Sequence, residues 1–203
     1  MRKLHLLLAL WCMPWLAKAQ ETTLQDSVSK SRTWFVPDGA VLQFAGNMGL
    51  LAVGPSYDLF DEKLSAELLY GYVPKFDGET PNHLLTLKGT YHPFLVSISE
   101  RYSVTPLRVG LAGSYYFGDR YALSWGDNYP KGYYWWSSAV RILGFAGSSV
   151  NYKFGEQQKL LRDASLYAEV GTFDLILTSW VKEDGLSLWD IMNVSAGLRI
   201  RFK

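Results

Sequence analysis

The stretch Val194-Ser195-Ala196-Gly197-Leu198-Arg199-Ile200-Arg201-Phe202-Lys203 decides the fold. Val194, Ala196, Leu198, Ile200 and Phe202 share one parity, and Ser195, Gly197, Arg199, Arg201 and Lys203 share the other. Side chains of a strand point alternately to its two faces, so this segment predicts a strand lying between two different environments.

Working back along the chain, the same period recurs. Leu107, Val109, Leu111, Gly113, Tyr115 and Phe117 oppose Arg108, Gly110, Ala112, Ser114 and Tyr116. Leu64, Ala66, Leu68, Tyr70 and Tyr72 oppose Ser65, Glu67, Leu69 and Gly71; Leu166, Ala168, Val170 and Thr172 oppose Tyr167, Glu169, Gly171 and Phe173. Leu51, Val53, Tyr57 and Leu59 oppose Ala52, Gly54, Ser56 and Asp58, with Pro55 as a blemish, because proline cannot donate to a ladder. Leu85, Leu87 and Tyr91 oppose Thr86, Lys88, Thr90 and His92, and weaker alternation runs through 41–47 and 140–154. The pattern predicts an all-β protein, an eight-stranded antiparallel up-and-down barrel, since closure removes unpaired edges.

Side-chain size indicates which face is inside. Ala52, Gly54, Ser56, Ser65, Gly71, Gly110, Ala112, Ser114, Gly171, Ser195 and Gly197 crowd the polar parity. A solvated surface has no reason to be small, whereas the interior of an eight-stranded barrel is only just wide enough for side chains. The expectation is a transmembrane barrel with a polar packed interior that passes no solutes. Its lumen network comprises Asp58, Glu67 and Glu169 against Lys88, Arg108, Arg141, Lys153, Arg199 and Arg201. Buried charge has to be paired, so the basic excess needs some of these groups near wet ends. The apolar parity ends in Tyr57, Tyr70, Tyr72, Tyr91, Tyr115, Phe117, Tyr152, Phe154 and Phe202, the amphipathic rings favoured where hydrocarbon meets headgroups.

The beginning of the chain reads as an export signal over 1–19: Arg2 and Lys3, an apolar run from Leu4 to Leu16, then Ala17-Lys18-Ala19. The run is too short to span a bilayer as a helix. Trp11 before Cys12 argues against a lipoprotein site, and removal of the signal leaves no cysteine, so disulfides play no part. Residues 20–39 read as a polar periplasmic arm and 40–203 as the barrel. The net charge of +1 gives no reason to invoke nucleic acid, and zinc spacings, phosphate loops and nucleophile elbows are absent, so no cofactor or metal is expected.

The signal, the eight amphipathic strands and the terminal VSAGLRIRFK resemble the small eight-stranded outer-membrane β-barrels of diderm bacteria. That is the family of OmpX, of the OmpA membrane domain and of the lipid A deacylase PagL. The resemblance implies periplasmic termini, long outer loops, contact with outer-membrane lipid and lipopolysaccharide, and insertion by the barrel assembly machinery, which reads a final aromatic residue. Here Phe202 is penultimate, a departure from that pattern. Outer loops are expected near 47–50, 75–82, 118–138 and 182–193, and inner turns at 61–63, 94–106 and 155–164.

The longest outer loop holds YPKGYYWWSSA, 129–139. Tyr133, Tyr134, Trp135 and Trp136, with Tyr121, Trp125 and Tyr129, form either an interfacial anchor or a stacking platform for sugar or lipid. Catalysis lacks a signature. The deacylases' His-x-Ser pair is replaced by His92-Pro93-Phe94, with His92 expected to bond inside the barrel beside Lys88. A palmitoyltransferase-like set would draw on His83 with Asp77, Asp127, Ser124 or Ser137, which no spacing forces together, and His83 reads as a solvated loop residue. The expected role is therefore structural or adhesive, through loops and rim. The alternatives are an outer-leaflet lipid-modifying enzyme and an accessory subunit docked on another outer-membrane protein.

Overall fold

A computed structural model of the chain describes residues 35–75, 80–118, 121, 139–174 and 187–203. The strands are β1 (Gly39–Ala45), β2 (Leu51–Leu59), β3 (Leu64–Val73), β4 (Asn82–Tyr91), β5 (Val96–Ser97), β6 (Tyr102–Phe117), β7 (Val140–Lys153), β8 (Leu161–Phe173) and β9 (Asn193–Phe202). One helical turn, α1 (Leu188–Ile191), precedes β9. Every pairing is antiparallel, and each of the eight long strands bonds its neighbours in chain order. β1 pairs with β9 through Leu42↔Leu198, and β4 pairs with β6 through Leu87↔Gly113, so the sheet closes on itself.

The expected eight-stranded barrel is therefore present, closed, with one short strand added. β5 is that addition, and it corrects the expectation of an irregular turn over 94–106. Val96 faces Val104 and Ser97 faces Ser103, while Tyr102 and Val104 also pair with Tyr152 and Val150 of β7. The physical reason lies in Tyr-Ser-Val-Thr, 102–105, which alternates and is rich in β-formers. Pro106 and Leu107 are absorbed by a bulge between Thr105 and Arg108, both of which point inward and are buried. Likewise β8 begins at Leu161 rather than beyond Ala164.

Pro55 is accommodated by a gap. Gly54 and Pro55 pair with Val41 and Ala40 of β1, but the β2–β3 ladder skips from Val53↔Tyr70 to Ser56↔Glu67. The β2–β3 hairpin turns tightly at Phe60, Asp61 and Glu62, whose φ values of 51°, 54° and 64° are all left-handed. Positive φ at both central residues suits the right-handed twist of a hairpin, although glycine or asparagine would adopt it more cheaply.

The two faces of the wall differ as the parity argument requires. Leu87 (62% exposed), Leu111 (67%), Leu166 (64%) and Val194 (66%) point outward. Lys88 (0%), Arg108 (2%), Glu169 (1%) and Arg199 (3%), at the opposite parity of the same four strands, point inward. The core of the protein is thus the lumen. Glycines make it fillable: a Cβ on Gly197 would meet the Tyr167 ring at 2.3 Å, and one on Gly110 would meet Phe145 at 2.3 Å. Small positions on one strand hold space for rings projecting from another.

Candidate functional site

The lumen has three levels. Toward the β1–β2 turn and the β3–β4 loop it is apolar: Val41, Met48, Ala52, Leu69, Ala112, Leu143, Phe145 and Tyr167 form one buried cluster, with Phe173 packed on it. The expected interior was polar and packed; this cap adds an apolar level to it, to which the inward parity of Leu69, Tyr167 and Phe173 already contributed. Leu143 and Phe145 occupy inward positions on a strand whose alternation is weak in the sequence, where Gly147 shares their parity and Gly144, Ala146 and Ser148 oppose them.

The middle level is ionic and sealed. Lys88 Nζ lies 2.7 Å from Glu169 Oε2 and 3.8 Å from Glu67 Oε2, and donates to Gln43 Oε1 at 2.9 Å. Arg108 Nη2 reaches Glu169 Oε1 at 3.3 Å. Tyr167 donates to Gln43 Oε1 at 3.0 Å, and its ring sits beneath both cations, 4.9 Å from Lys88 Nζ and 4.5 Å from the Arg108 guanidinium carbon. Two cations thus face two carboxylates, and the rings add cation–π attraction where water is excluded.

The third level lies at the end carrying the first and last strand termini. Arg201 Nε bonds Asp163 Oδ1 at 2.6 Å and its Nη1 bonds Glu62 Oε2 at 2.6 Å. Arg162 reaches Glu62 at 2.6 Å, Asp163 at 3.1 Å and Asp58 at 3.4 Å, and Arg199 bonds Asp58. Three arginines are matched by three carboxylates. The apparent basic excess of the inward faces is offset here by Glu62 and Asp163, which sequence reasoning placed in turns together with a further cation, Arg162.

Of the residues named from the sequence, Asp58, Glu67, Lys88, Arg108, Glu169, Arg199 and Arg201 all enter these two networks. Arg141 is half-buried at the inward parity of β7 and donates to the Val140 carbonyl at 3.1 Å. Lys153 is a correction: it is the last residue of β7, paired with Asp163, and its side chain is exposed. Gln43, Tyr167, Asp163, Arg162 and Glu62 were missed as network members. The available signal was the inward parity of Gln43 and Tyr167 opposite Lys88.

Below the middle level a cavity of about 270 Å³ opens toward the termini. Arg108, Arg199, Arg201 and His92 line it with Thr105, Ser149, Asn151 and Ser165, and Pro93, Phe94 and Leu95 form part of its mouth. Asn151 Nδ2 donates to Thr105 Oγ1 at 3.1 Å, and Ser149 donates to Asn151 Oδ1 at 3.1 Å, so this polar shelf is fixed. His92 follows β4 and points into the cavity, not toward Lys88 as expected, because the inward parity of β4 carries it past Thr90. Its pKa is held down to about 4, first by burial and then by the charges of Arg108, Arg199 and Arg201, with only Asp58 opposing among the larger influences.

His83 is not a loop residue. It lies in β4 on the outer wall, with Nδ1 2.5 Å from the Tyr70 hydroxyl and its ring 5.3 Å from that of Tyr72. The partners considered for it, Asp77, Ser124, Asp127 and Ser137, lie outside the described residues. So do Trp125, Tyr129, Tyr133, Tyr134, Trp135 and Trp136, and the segments 1–19 and 20–34. Tyr121 stands at the start of that loop, half-buried, its ring 5.2 Å from Tyr116, whose hydroxyl donates to the Asn47 carbonyl at 3.4 Å. Among the described residues no group of three His, Cys, Asp or Glu side chains is arranged to hold a metal ion.

Fold and lumen together define a closed antiparallel β-barrel whose interior is filled by its own side chains. Comparison with known proteins adds nothing to that class: no family model, no curated protein and no solved structure matches the chain.

Proposed function

We propose that this chain is an integral outer-membrane β-barrel of diderm bacteria, exported by the segment 1–19, with a non-porin role exercised through its outer loops and rim. One observation carries the reading. The outward face of a closed barrel bears Leu42, Phe44, Val53, Leu68, Leu87, Leu111, Val150, Leu166 and Val194, all at least two-fifths exposed, while the ions are shut inside. A water-soluble barrel gains nothing from that arrangement, since wide contiguous apolar patches on soluble proteins drive association. In a bilayer the same wall meets acyl chains, and closure removes the unpaired strand edges that hydrocarbon would not tolerate.

The aromatic residues fit this placement. Tyr70, Tyr72, Tyr115 and Phe117 stand near one end of the outer wall, and Tyr91, Tyr102 and Tyr152 near the other. From Leu64, paired with Tyr91, to Tyr72 is eight steps of strand, about 20 Å of height at a tilt near 40°, comparable with the ~25 Å apolar band of such barrels. The termini then lie on the periplasmic side, and the opposite end, where β6 ends at Phe117 and β7 begins at Val140, faces lipopolysaccharide. The sealed middle level argues for a structural or adhesive barrel over a conducting one.

Heat-modifiable migration of the unboiled chain on gel electrophoresis, together with flotation on phospholipid vesicles, tests the placement. The expected result is a faster-migrating folded band that floats with lipid. A monodisperse chain in detergent-free buffer that ignores vesicles would overturn it.

A further inference from the structure

Two residues that line the cavity at the termini end each carry a buried polar atom with no partner among the described residues. The Arg108 side chain is almost wholly enclosed, yet its Nε donates to nothing. His92 Nδ1 is equally unpartnered, and both residues line the same space of about 270 Å³. An unmet buried donor on a charged group costs on the order of 1–3 kcal/mol, so a folded protein seldom leaves one idle beside an open volume.

The rest of the lining narrows what belongs there. Arg199 and Arg201 project from β9, Arg108 from β6, and Lys63 from the β2–β3 turn; the acidic groups at the mouth are Asp61 and Glu62 of that turn. Asp58 stands behind Arg199, so its carboxylate is spent, and Glu62 is spent on Arg162 and Arg201. The imidazole is kept neutral first by burial and then by the charges of three guanidiniums. Burial disfavours any ion, and it is the guanidiniums that favour an anion over a cation here. Arginine is suited to oxyanions because its planar donors match their oxygens. Thr105, Ser149 and Ser165 line the same wall and offer hydroxyls to further oxygens.

We propose that this cavity is a binding site for a small oxyanion, a phosphate or carboxylate group, entering from the termini end and held by Arg108 with His92 as the second donor. Phosphate and carboxylate share the chemistry that the site recognises, and the two can be separated by titration. Arrival of the anion places a negative charge beside His92, which then takes up a proton more readily and donates from both ring nitrogens.

The test uses the full chain folded in detergent micelles, with the His92 ring resonances followed by NMR while inorganic phosphate or acetate is added at constant ionic strength. The expected result is a saturable shift with at least one anion and a rise of about one unit or more in the His92 midpoint. Arg108→Gln is expected to weaken the interaction tenfold or more. Because that change leaves Glu169 short of a cation and can compromise folding, His92→Gln provides the second arm: it disturbs neither ion network, and weakening measured by calorimetry is expected to be three- to tenfold. Saturation by phosphate alone or by acetate alone assigns the class. No saturable shift with either anion, in a chain that retains its barrel signature, means the cavity holds water only and overturns the proposal. Affinity unchanged in His92→Gln overturns it as well, since the anion would then sit elsewhere.

Discussion

Two ion networks share one lumen and differ in their solvent. In the middle, Lys88 and Glu67 are fully enclosed and Glu169 and Arg108 nearly so. At the termini end, Arg162 and Glu62 are 36% and 46% exposed, and Arg201 is 19% exposed. The chemistry is the same, guanidinium or ammonium against carboxylate. The consequence of losing a member is not. A sealed charge left alone has neither water nor an alternative ion, whereas at the wet end every group but Arg199 has two or three counterions, and Arg162, Glu62 and Arg201 meet solvent besides. The middle level is therefore a single interlocked unit, and the end level is a redundant mesh.

Lys88→Met is expected to have the largest effect. It leaves Glu67 without its cation and Glu169 with Arg108 alone, and the loss is about 3–5 kcal/mol, read by urea unfolding of the chain folded in lipid vesicles. Replacing Lys88 and Glu67 together by Met and Gln is expected to recover most of it, because Glu169 and Arg108 then remain as a matched pair. A loss below about 1 kcal/mol for the single change would mean water reaches the middle level, and the contrast between the networks would break.

Leu111→Arg comes next and examines the outer wall against which both networks are defined. Leu111 is 67% exposed, between Gly89 and Gly144 on its neighbouring strands. In hydrocarbon an arginine near mid-wall costs about 2–4 kcal/mol, while on a solvated surface it costs within about 0.5 kcal/mol. Unfolding of the variant in vesicles decides between these values. The smaller one would remove lipid from the outside of the barrel.

Much of this contrast was legible in the sequence, and for a reason. Parity is local: Leu198 beside Arg199, or Leu87 beside Lys88, assigns opposite faces whatever the rest of the chain does, and the small residues of the polar parity mark it as the crowded interior. Height along the barrel is not local. Whether Leu143 and Phe145 cap the lumen or leave it depends on stagger between strands, which places them beside Met48 and Leu69 from distant parts of the chain. The same stagger brings Arg162 and Asp163, which read as turn residues, level with Asp58, and it assembles the cavity of Arg108, His92 and Arg199 from three strands. Tyr102 was hidden by Pro106, since the proline reads as a strand end and a bulge instead absorbs it.

A smaller effect is expected from pH, and it reports on the boundary between the two networks. His92 has a midpoint of about 4 in the folded chain against 6.5 ordinarily. The unfolded chain therefore binds the proton first as pH falls, so the stability present above pH 6.5 is lost between there and pH 4. Allowing for solvent around a half-buried ring, the loss attributable to this group is about 1–2 kcal/mol. His92→Gln is expected to flatten that part of the pH–stability profile. An unchanged slope would mean that His92 does not carry it.

Arg162→Ala is expected to have the smallest effect, and it bears most directly on redundancy. Arg162 touches Asp58, Glu62 and Asp163, yet Arg199 and Arg201 hold those same carboxylates in its absence. The exposed guanidinium also gives up side-chain entropy to sit in one geometry. The net loss is thus about 1 kcal/mol or less, and it fades as salt rises, because the screening length drops to roughly 3 Å at 1 M. Unfolding at low and high ionic strength measures both features. A loss above about 2 kcal/mol that ignores salt would mean that the termini end is sealed like the middle, with three arginines behaving as one unit.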